Sequence, residues 1–379
     1  MGGITFCVSL FCCNFVDLTK VMKIGQVLSG VELLRLKDYI TRLNNIVITC
    51  HLTPDGDALG AALGLMHALE TIGKTAHVVV PDTIPKSLHF MPGARGIVTF
   101  TSQEEVARNL IDRCNLLFCV DFNDIKRIDK LGPVVEASKA AKVMIDHHLD
   151  PQPFCDLTIS YSEMSSTCEL IFRALMGMGM LKSVNRKVAE CLYTGMITDT
   201  GNFTYNCPRP DTLCIAAELV ARGINKDKIY NLAMNTSSPG RLRIIGHALA
   251  ENMELLPEAR GALITLDKSE LERYNYQKGD TEGLVNKPLQ VPDVRWSVFL
   301  REDATCVKVS MRSQGDFAVD TLCSEYFGGG GHLNAAGGEF YGTLPEAVDK
   351  VRGIAAKVAG SMRDKQDKQT STDIKDEKN

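Results

Sequence analysis

The first half of the chain alternates between short apolar runs and longer amphipathic segments. Residues 45–50, 76–80, 115–120 and 142–145 have the length and composition of buried strands. Helical spacing of apolar residues predicts helices over 57–72, 166–176, 185–198, 211–222 and 226–235. Strands separated by helical crossovers predict a parallel sheet covered by helices.

The second half begins after a break at 236–240, Thr-Ser-Ser-Pro-Gly. A helix is predicted over 241–255, strands over 262–266, 296–300 and 305–310, and a final amphipathic helix over 344–361. We therefore predict an α/β fold in which a parallel-sheet domain is joined by a helical linker to a smaller α/β domain. The predicted bounds are a first domain over 23–235, a linker over 236–258, a second domain over 259–361 and a disordered charged tail over 362–379.

Composition narrows the classes of function. The chain of 379 residues has a net charge of −4, whereas proteins that hold long duplex nucleic acid need a basic surface. Its 13 cysteines include no Cys-x-x-Cys pair, which favours free thiols in the cytoplasm over a zinc site. The apolar N-terminus is too short to span a membrane, and the sequence leaves open whether residues 1–21 precede a start at Met22.

Acidic motifs lie where the predicted elements end. They are His51-Leu-Thr-Pro-Asp55-Gly-Asp57, Asp121, Asp146-His147-His148, and Asp199 in the segment Asp-Thr-Gly. Each has a simpler structural interpretation, such as a helix cap for Asp57 or a salt bridge from Asp121 to Lys126 or Arg127. Because ligands bind beyond the carboxyl ends of parallel strands, their shared position favours one site for divalent ions. Asp and His ligands suit Mn²⁺, Zn²⁺, Fe²⁺ or Mg²⁺.

Three further features point to phosphate. Four consecutive glycines in Phe-Gly-Gly-Gly-Gly-His-Leu-Asn-Ala-Ala-Gly-Gly, residues 327–338, allow backbone NH groups to approach an anion. Arg312 stands at the end of a predicted strand, where its guanidinium can clamp a phosphate. Ser165-Ser166-Thr167 reads first as a helix N-cap and second as a phosphate contact. A flexible turn and a solvated arginine are the alternatives for the first two.

These motifs, in this order, resemble the DHH phosphoesterase family, and the glycine-rich segment resembles the signature of its DHH-associated domain. The similarity covers about residues 23–360 and is greatest to the nanoRNase-type branch, which acts on short oligoribonucleotides and on adenosine 3′,5′-bisphosphate. The resemblance implies that His51 and Asp55 bind one metal ion. It implies that Asp57, His147 and Asp199 bind a second ion, with Asp121 bridging the two.

The same resemblance assigns the remaining roles. It implies that His148 contacts the scissile phosphate and that Asp146 supports both imidazoles. It also implies that the substrate is bound by Arg312, Gly329, Gly330, Gly331 and His332.

The implied reaction is hydrolysis of phosphoesters in short oligoribonucleotides or adenosine 3′,5′-bisphosphate by two divalent ions, with Mn²⁺ preferred and no covalent enzyme intermediate. A cyclic di-AMP or pApA phosphodiesterase is the first alternative. A RecJ-type single-strand exonuclease, an inorganic pyrophosphatase and a non-catalytic nucleotide-binding regulator rank lower. The expected partners are short RNA or small nucleotides, with neither long duplex nucleic acid nor a membrane, and a homodimer stays open.

Overall fold

The structure is a computed structural model that describes the backbone of residues 24–376 and the side chains of residues 24–361. The chain divides into two compact units, Met1–Thr236 and Ser237–Asn379. In the described residues each unit contains one six-stranded sheet. The apolar N-terminal stretch discussed above lies outside the described residues.

The first unit alternates strands and helices along the chain. Its strands are β1 Asn45–Thr49, β2 Thr75–Val80, β3 Val98–Thr99, β4 Leu116–Val120, β5 Ala141–Asp146 and β6 Leu157–Ser160. Its helices are α1 Gly30–Arg42, α2 Gly56–Glu70, α3 Glu104–Arg113, α4 Gly132–Ala137, α5 Thr167–Gly177, α6 Arg186–Asp199, α7 Pro210–Ala221 and α8 Lys226–Ala233.

The sheet of the first unit is parallel throughout, with strand order β3-β2-β1-β4-β5-β6. Every residue of β4 is buried, as expected for a strand covered by helices on both faces. The chain leaves β1 toward β2 on one side and later returns to place β4 on the other. The carboxyl ends of β1 and β4 therefore form a switch point, where open α/β sheets bind ligands.

Helix α2 is buried along nearly its whole length and packs closely on α6. Glycine permits this approach, since a Cβ on Gly60 would lie 2.7 Å from the carbonyl oxygen of Cys191. On α6, a Cβ on Gly195 would lie 2.8 Å from Oδ1 of Asp57. Small residues thus bring the two helices that carry Asp57 and Asp199 together.

The second unit is built mainly from antiparallel strands. Its elements are α9 Pro239–Ala250, β7 Met253–Leu256, β8 Gly261–Leu266, α10 Lys268–Arg273, β9 Trp296–Glu302, β10 Val307–Ser313, α11 Val319–Phe327, β11 Gly330–His332, β12 Ala335–Phe340 and α12 Leu344–Asp376. The strand order is β11-β12-β10-β9-β8-β7, in which β8 and β9 alone run parallel. One apolar core, around Trp296, includes side chains of α11 and α12, and a smaller one includes side chains of α9.

The predicted α/β fold class is confirmed, while several elements differ from the sequence-based prediction. The helix predicted over 241–255 ends at Ala250, because Met253–Leu256 pairs with β8 as strand β7. Disorder was predicted from residue 362, but the backbone of α12 stays helical to Asp376. The domain bounds stay predictions.

Candidate metal centre

The carboxyl edge of the first sheet holds most of the predicted metal ligands. His51 lies two residues beyond β1, and Asp121 follows β4 directly, so both stand at the switch point. Asp146 is the last residue of β5 rather than the first residue after it, and Asp199 is the last residue of α6. The six predicted ligands fall into ligand groups whose donor atoms lie within 4.8 Å of one another.

The first group consists of His51, Asp55 and Asp121. The Nδ1 atom of His51 lies 2.8 Å from the carbonyl oxygen of Leu52. Donation from Nδ1 leaves Nε2 free as a ligand atom, 3.4 Å from Oδ2 of Asp121 and 3.8 Å from Oδ1 of Asp55. Asp55 also caps α2, since its Oδ1 accepts hydrogen bonds from the backbone NH groups of Asp57 and Ala58.

The second group consists of Asp57, His147 and Asp199. Nε2 of His147 lies 3.4 Å from Oδ2 of Asp199 and 3.9 Å from Oδ2 of Asp57. Its Nδ1 faces the carbonyl oxygen of Met164 at 3.2 Å, which orients the ring. Helix capping was the simpler interpretation of Asp57, but the residue at the N-cap of α2 is Asp55.

Asp121 belongs to the first group and also lies next to the second. Its Oδ2 faces Nε2 of His51, and its Oδ1 lies 3.7 Å from Nε2 of His147. The backbone adopts a left-handed conformation with a φ of 63°, which Asp tolerates better than most side chains. Neither Lys126 nor Arg127 forms an ion pair with it in the described structure, so the salt-bridge interpretation is wrong.

Asp146 holds one imidazole, not two. Its Oδ1 lies 2.7 Å from Nδ1 of His148, and its Oδ2 accepts a hydrogen bond from the backbone NH of His148. The resemblance implied that Asp146 supports both imidazoles, whereas His147 rests on the Met164 carbonyl. Adjacent residues at a strand end point in different directions, which separates their partners. About a third of the His148 side chain is exposed, the largest fraction among the three imidazoles of the centre.

Opposite charges in the first group stabilise each other. Burial by itself lowers the pKa of His51, but the hydrogen bond and charge of Asp121 and the charge of Asp55 outweigh it and raise the pKa from 6.5 to about 9. Burial raises the pKa of Asp121, but His51, His147 and His148 outweigh it and hold that pKa well below its usual value.

The second group has an excess of negative charge. Burial, followed by the charges of Asp121 and Asp199, raises the pKa of Asp57 well above its usual value. Burial also raises the pKa of Asp199 from 3.8 to about 6, although the charge of His147 opposes the shift. Carboxylates that hold protons this strongly lack a compensating cation.

The donor set therefore fits divalent metal ions. Within residues 24–361 no Lys or Arg forms an ion pair with the carboxylates of the centre, whose only charged partners are imidazoles. Carboxylate oxygens and imidazole nitrogens are the preferred donors of several divalent ions. A bound cation would stabilise the ionised forms of Asp57 and Asp199 and so oppose the rise in both pKa values.

The N-terminus of α5 has a role that the sequence analysis missed. Ser166 caps the helix, as predicted, by accepting a hydrogen bond from the NH of Glu169. The backbone NH groups of Thr167 and Cys168 donate to Asp57 at 2.7 and 2.9 Å. Because these NH groups already bind the carboxylate of Asp57, they are not free to bind a phosphate. The second interpretation of this segment, a phosphate contact, therefore does not hold for them. The Thr167 hydroxyl donates to Oδ1 of Asp121 at 2.9 Å, so one helix end fixes two predicted ligands.

The predicted substrate residues lie in the second unit. Arg312 on β10 and His332 on β11 both pair with Ala335 on β12. Directly paired residues point to the same face of a sheet, so the two side chains share a face about 10 Å apart. Nη1 of Arg312 donates to the Met311 carbonyl, and burial lowers the pKa of its guanidinium. Arg312 forms no ion pair with any described residue.

The glycines of the motif are subject to different steric constraints. A Cβ on Gly329 would lie 2.0 Å from the carbonyl oxygen of Gly337, and one on Gly331 would lie 2.3 Å from that of Ala335. These two glycines are needed for the close approach of β11 to β12. A Cβ on Gly330 would meet nothing within 4 Å, so this position alone of the three leaves space open above the strand. The flexible-turn interpretation does not hold for Gly330 and Gly331, which pair with β12, while Gly328 is the left-handed C-cap of α11.

Two family models match the chain. The DHH family, N-terminal domain, matches residues 45–196, and the DHHA1 domain matches residues 265–368. The first match contains all the predicted metal ligands except Asp199, and the second contains Arg312 and the glycine-rich motif.

Named relatives span most of the chain. The bifunctional oligoribonuclease and PAP phosphatase NrnA of Thermus thermophilus is 28% identical over 336 residues, which make up 88% of this chain and 92% of that protein. The cyclic-di-AMP phosphodiesterase GdpP of Bacillus subtilis is 26% identical over 342 residues, 84% of this chain but 48% of that longer protein.

A solved structure is more similar still. The crystal structure of an exopolyphosphatase-related protein from Bacteroides fragilis is 44% identical, with a TM-score of 0.85. The match covers 89% of this chain and 99% of that one. No helix in the described residues is both long enough and apolar enough to cross a membrane. Because this relative is matched over nearly its whole length and both family models fit in order, the chain belongs to the DHH family, with a DHHA1 domain.

Proposed function

We propose that this protein is a metal-dependent phosphoesterase that hydrolyses short oligoribonucleotides and adenosine 3′,5′-bisphosphate. The observation that carries the proposal is a pair of ligand groups, one around His51 and one around His147, with Asp121 next to both. The Thermus thermophilus relative, matched over nearly its whole length, is named for these two activities and supports the choice of substrate.

The residues divide into holders of the ions and a group that meets the substrate. His51 and Asp55 would hold one ion, Asp57, His147 and Asp199 would hold the other, and Asp121 would lie between them. When bound, two divalent ions lower the pKa of water and offset the charge of a phosphate. We propose Mn²⁺ as the working ion, because mixed carboxylate and imidazole donors suit it.

His148 is the residue proposed to contact the scissile phosphate. Asp146 accepts from its Nδ1, so the opposite ring nitrogen, Nε2, is directed away from that carboxylate. Contact with a phosphate oxygen would then be made through Nε2, the ring nitrogen that Asp146 leaves unengaged. Asp146 thereby acts through His148 and fixes its orientation.

Two residues of the second unit are proposed to bind a phosphate group of the substrate. Arg312 is half-buried without an acidic partner among the described residues, and His332 lies on the same sheet face. An arginine of this kind binds phosphate with its planar fork. A phosphate group of a 5′-phosphorylated dinucleotide or of adenosine 3′,5′-bisphosphate is the ligand proposed for Arg312.

A cyclic di-AMP or pApA phosphodiesterase is the second candidate. The similarity to GdpP favours it, although the chain spans about half of that protein. The name of the Bacteroides fragilis relative adds polyphosphate to the substrates worth testing.

A panel of substrates on the Mn²⁺-loaded protein tests the proposal. The panel holds di- to pentaribonucleotides, adenosine 3′,5′-bisphosphate, cyclic di-AMP, pyrophosphate and polyphosphate. We expect the highest kcat/KM for the first two. Arg312→Gln should raise KM by about tenfold or more with little change in kcat, since it removes a charged hydrogen bond to the substrate. Turnover of polyphosphate alone would overturn the proposal.

The cytoplasm is the proposed compartment. The ten cysteines of the described residues are free thiols, which a reducing compartment preserves.

A further inference from the structure

The loop that follows Asp199 has an unusual backbone. Asn202, Phe203 and Asn206 have φ values of 58°, 64° and 49°, in the left-handed region that side chains other than glycine rarely occupy. Gly201 shares this conformation, with a φ of 53°. Such residues each cost of order 1–3 kcal/mol and persist where the surrounding structure holds them in place. The loop directly adjoins a predicted metal ligand.

Hydrogen bonds hold the loop in this form. The carbonyl oxygen of Thr200 accepts from the NH groups of Thr204 and Tyr205 at 2.9 and 3.1 Å. The Thr200 hydroxyl oxygen accepts from the NH of Phe203 at 2.9 Å. The side-chain amide of Asn206 donates to the carbonyl of Ser165, next to the helix end that fixes Asp57. The loop is therefore anchored at both ends to elements of the metal centre.

Tyr205 is an exposed aromatic residue of this loop. Its ring packs against the backbone of Gly201, where an added Cβ would lie 2.2 Å from Cε1 of the ring. The residue is nevertheless 60% exposed. Its hydroxyl makes no hydrogen bond within the described residues. Burial and the charge of Asp199 raise the pKa of the hydroxyl, which agrees with a ring beside that carboxylate. Neither burial in a hydrophobic core nor a hydrogen bond of the hydroxyl explains the position of Tyr205.

We propose that Tyr205 stacks on a nucleobase of the substrate when its phosphate is at the metal centre. An aromatic ring with an open face beside a phosphate-binding site is the usual platform for an unpaired base. Stacking accepts every base, so it selects nucleotides over pyrophosphate or polyphosphate without reading sequence. The inference deepens the proposed function and rests on it.

A purely structural role for the ring makes a different prediction. If Tyr205 only covers Gly201 and Asp199, its loss disturbs the metal centre and lowers turnover of every substrate alike. If it stacks on a base, its loss affects only substrates that carry bases. The two cases are separated by comparing a diribonucleotide with the same backbone in which hydrogen replaces both bases.

The experiment measures kcat and KM for wild type, Tyr205→Leu and Tyr205→Phe with both substrates and Mn²⁺. The matched control is Tyr341→Leu, which removes a tyrosine that is 76% exposed in the second unit. We expect Tyr205→Leu to raise KM for the diribonucleotide by about 5- to 100-fold. Tyr205→Phe and Tyr341→Leu should keep the wild-type KM. The base-free substrate should show no difference among the four proteins.

Isothermal titration with Mn²⁺ and a thermal melt accompany the kinetics. Unchanged metal stoichiometry and Tm in Tyr205→Leu are expected. An equal loss with the base-free substrate, or weaker Mn²⁺ binding, would overturn the stacking role while leaving the proposed function intact. A wild-type KM in Tyr205→Leu would do the same. Failure of the wild type to hydrolyse any nucleotide would overturn the proposed function, and this inference with it.

Discussion

The two units differ in the kinds of residues that are proposed to bind phosphate. At the metal centre of the first unit, carboxylates and imidazoles converge near strand and helix ends, and burial together with neighbouring carboxylates raises the pKa values of Asp57 and Asp199. In the second unit, β11 and β12 are rich in glycine and alanine, and His332 of β11 shares a sheet face with Arg312 of β10.

The difference shows that the residues of a motif can be required either for their chemical groups or for the backbone geometry that they permit. At the metal centre, Asp121 and Asp146 contact imidazoles through their carboxylates. By contrast, Gly329 and Gly331 are required by neighbouring backbone, and of the three glycines predicted to bind substrate Gly330 alone leaves space for a ligand. The predictions below test whether this division between chemistry and shape holds.

The strongest test of the chemical side is Asp121→Asn, which keeps the shape and the left-handed backbone but removes the charge. We expect kcat to fall by more than about 10³-fold, and Mn²⁺ stoichiometry by titration to fall from two to one. Asp112→Asn, on the exposed surface of α3, is the control and should match the wild type. Near-normal turnover in Asp121→Asn would remove the bridging role.

The charge imbalance can be tested through pH. The raised pKa of His51 stabilises the metal-free protein below pH 6.5, and this contribution is lost as pH rises toward 9. We expect the free energy of unfolding in EDTA, measured with urea, to fall by about 3 kcal/mol more in wild type than in His51→Gln across this range. Mn²⁺ should abolish the difference. Identical pH profiles in EDTA would contradict the assigned contact with Asp121.

Thr167 tests whether the rigid surroundings of the ligands matter. Thr167→Val removes the hydroxyl that bonds to Asp121 but keeps the volume of the side chain, and Thr167→Ser keeps the hydroxyl. Loss of a bond that orients a ligand should weaken Mn²⁺ binding by about 10- to 100-fold in the valine variant. The serine variant should stay near wild type. Equal Mn²⁺ affinity in all three would assign Thr167 to packing alone.

Alanine substitutions at two adjacent positions test the steric constraints on the glycine-rich motif. Gly329→Ala forces Cβ into the Gly337 carbonyl and should destabilise the protein by about 1–3 kcal/mol in urea unfolding. Gly330→Ala meets open space, so its stability should match the wild type while KM for a diribonucleotide rises. Equal stability of both variants would refute the division of roles within the motif.

The acidic motifs could be located from sequence because each stands at the end of an apolar run whose length marks a strand. The placement of His51 and Asp121 at the same edge then follows from the rules of parallel sheets. The role of Thr167 could not be predicted, because its bonds to Asp57 and Asp121 join residues 110 and 46 positions apart. No local pattern encodes such pairing.

The sequence pattern also does not predict the strained backbone that follows Asp199. Left-handed Asn202 and Asn206 are compatible with a turn, but Phe203 in that region is enforced by Thr200 and by packing. Strand β7 was missed for a similar reason, since Met253–Leu256 continues an apolar pattern that suits a helix equally well. Tertiary pairing decided both cases.

The distances in sequence between the ligands have a consequence for how the centre assembles. The group of His51, Asp55 and Asp121 is complete once β4 has paired with β1, whereas the second group needs Asp199 at the end of α6. Contacts between distant residues form late, because closing long loops costs entropy before any bond is gained. The first ligand group therefore closes a separation of 70 positions, from His51 to Asp121, whereas the second closes one of 142 positions, from Asp57 to Asp199, so its assembly carries the larger entropic cost.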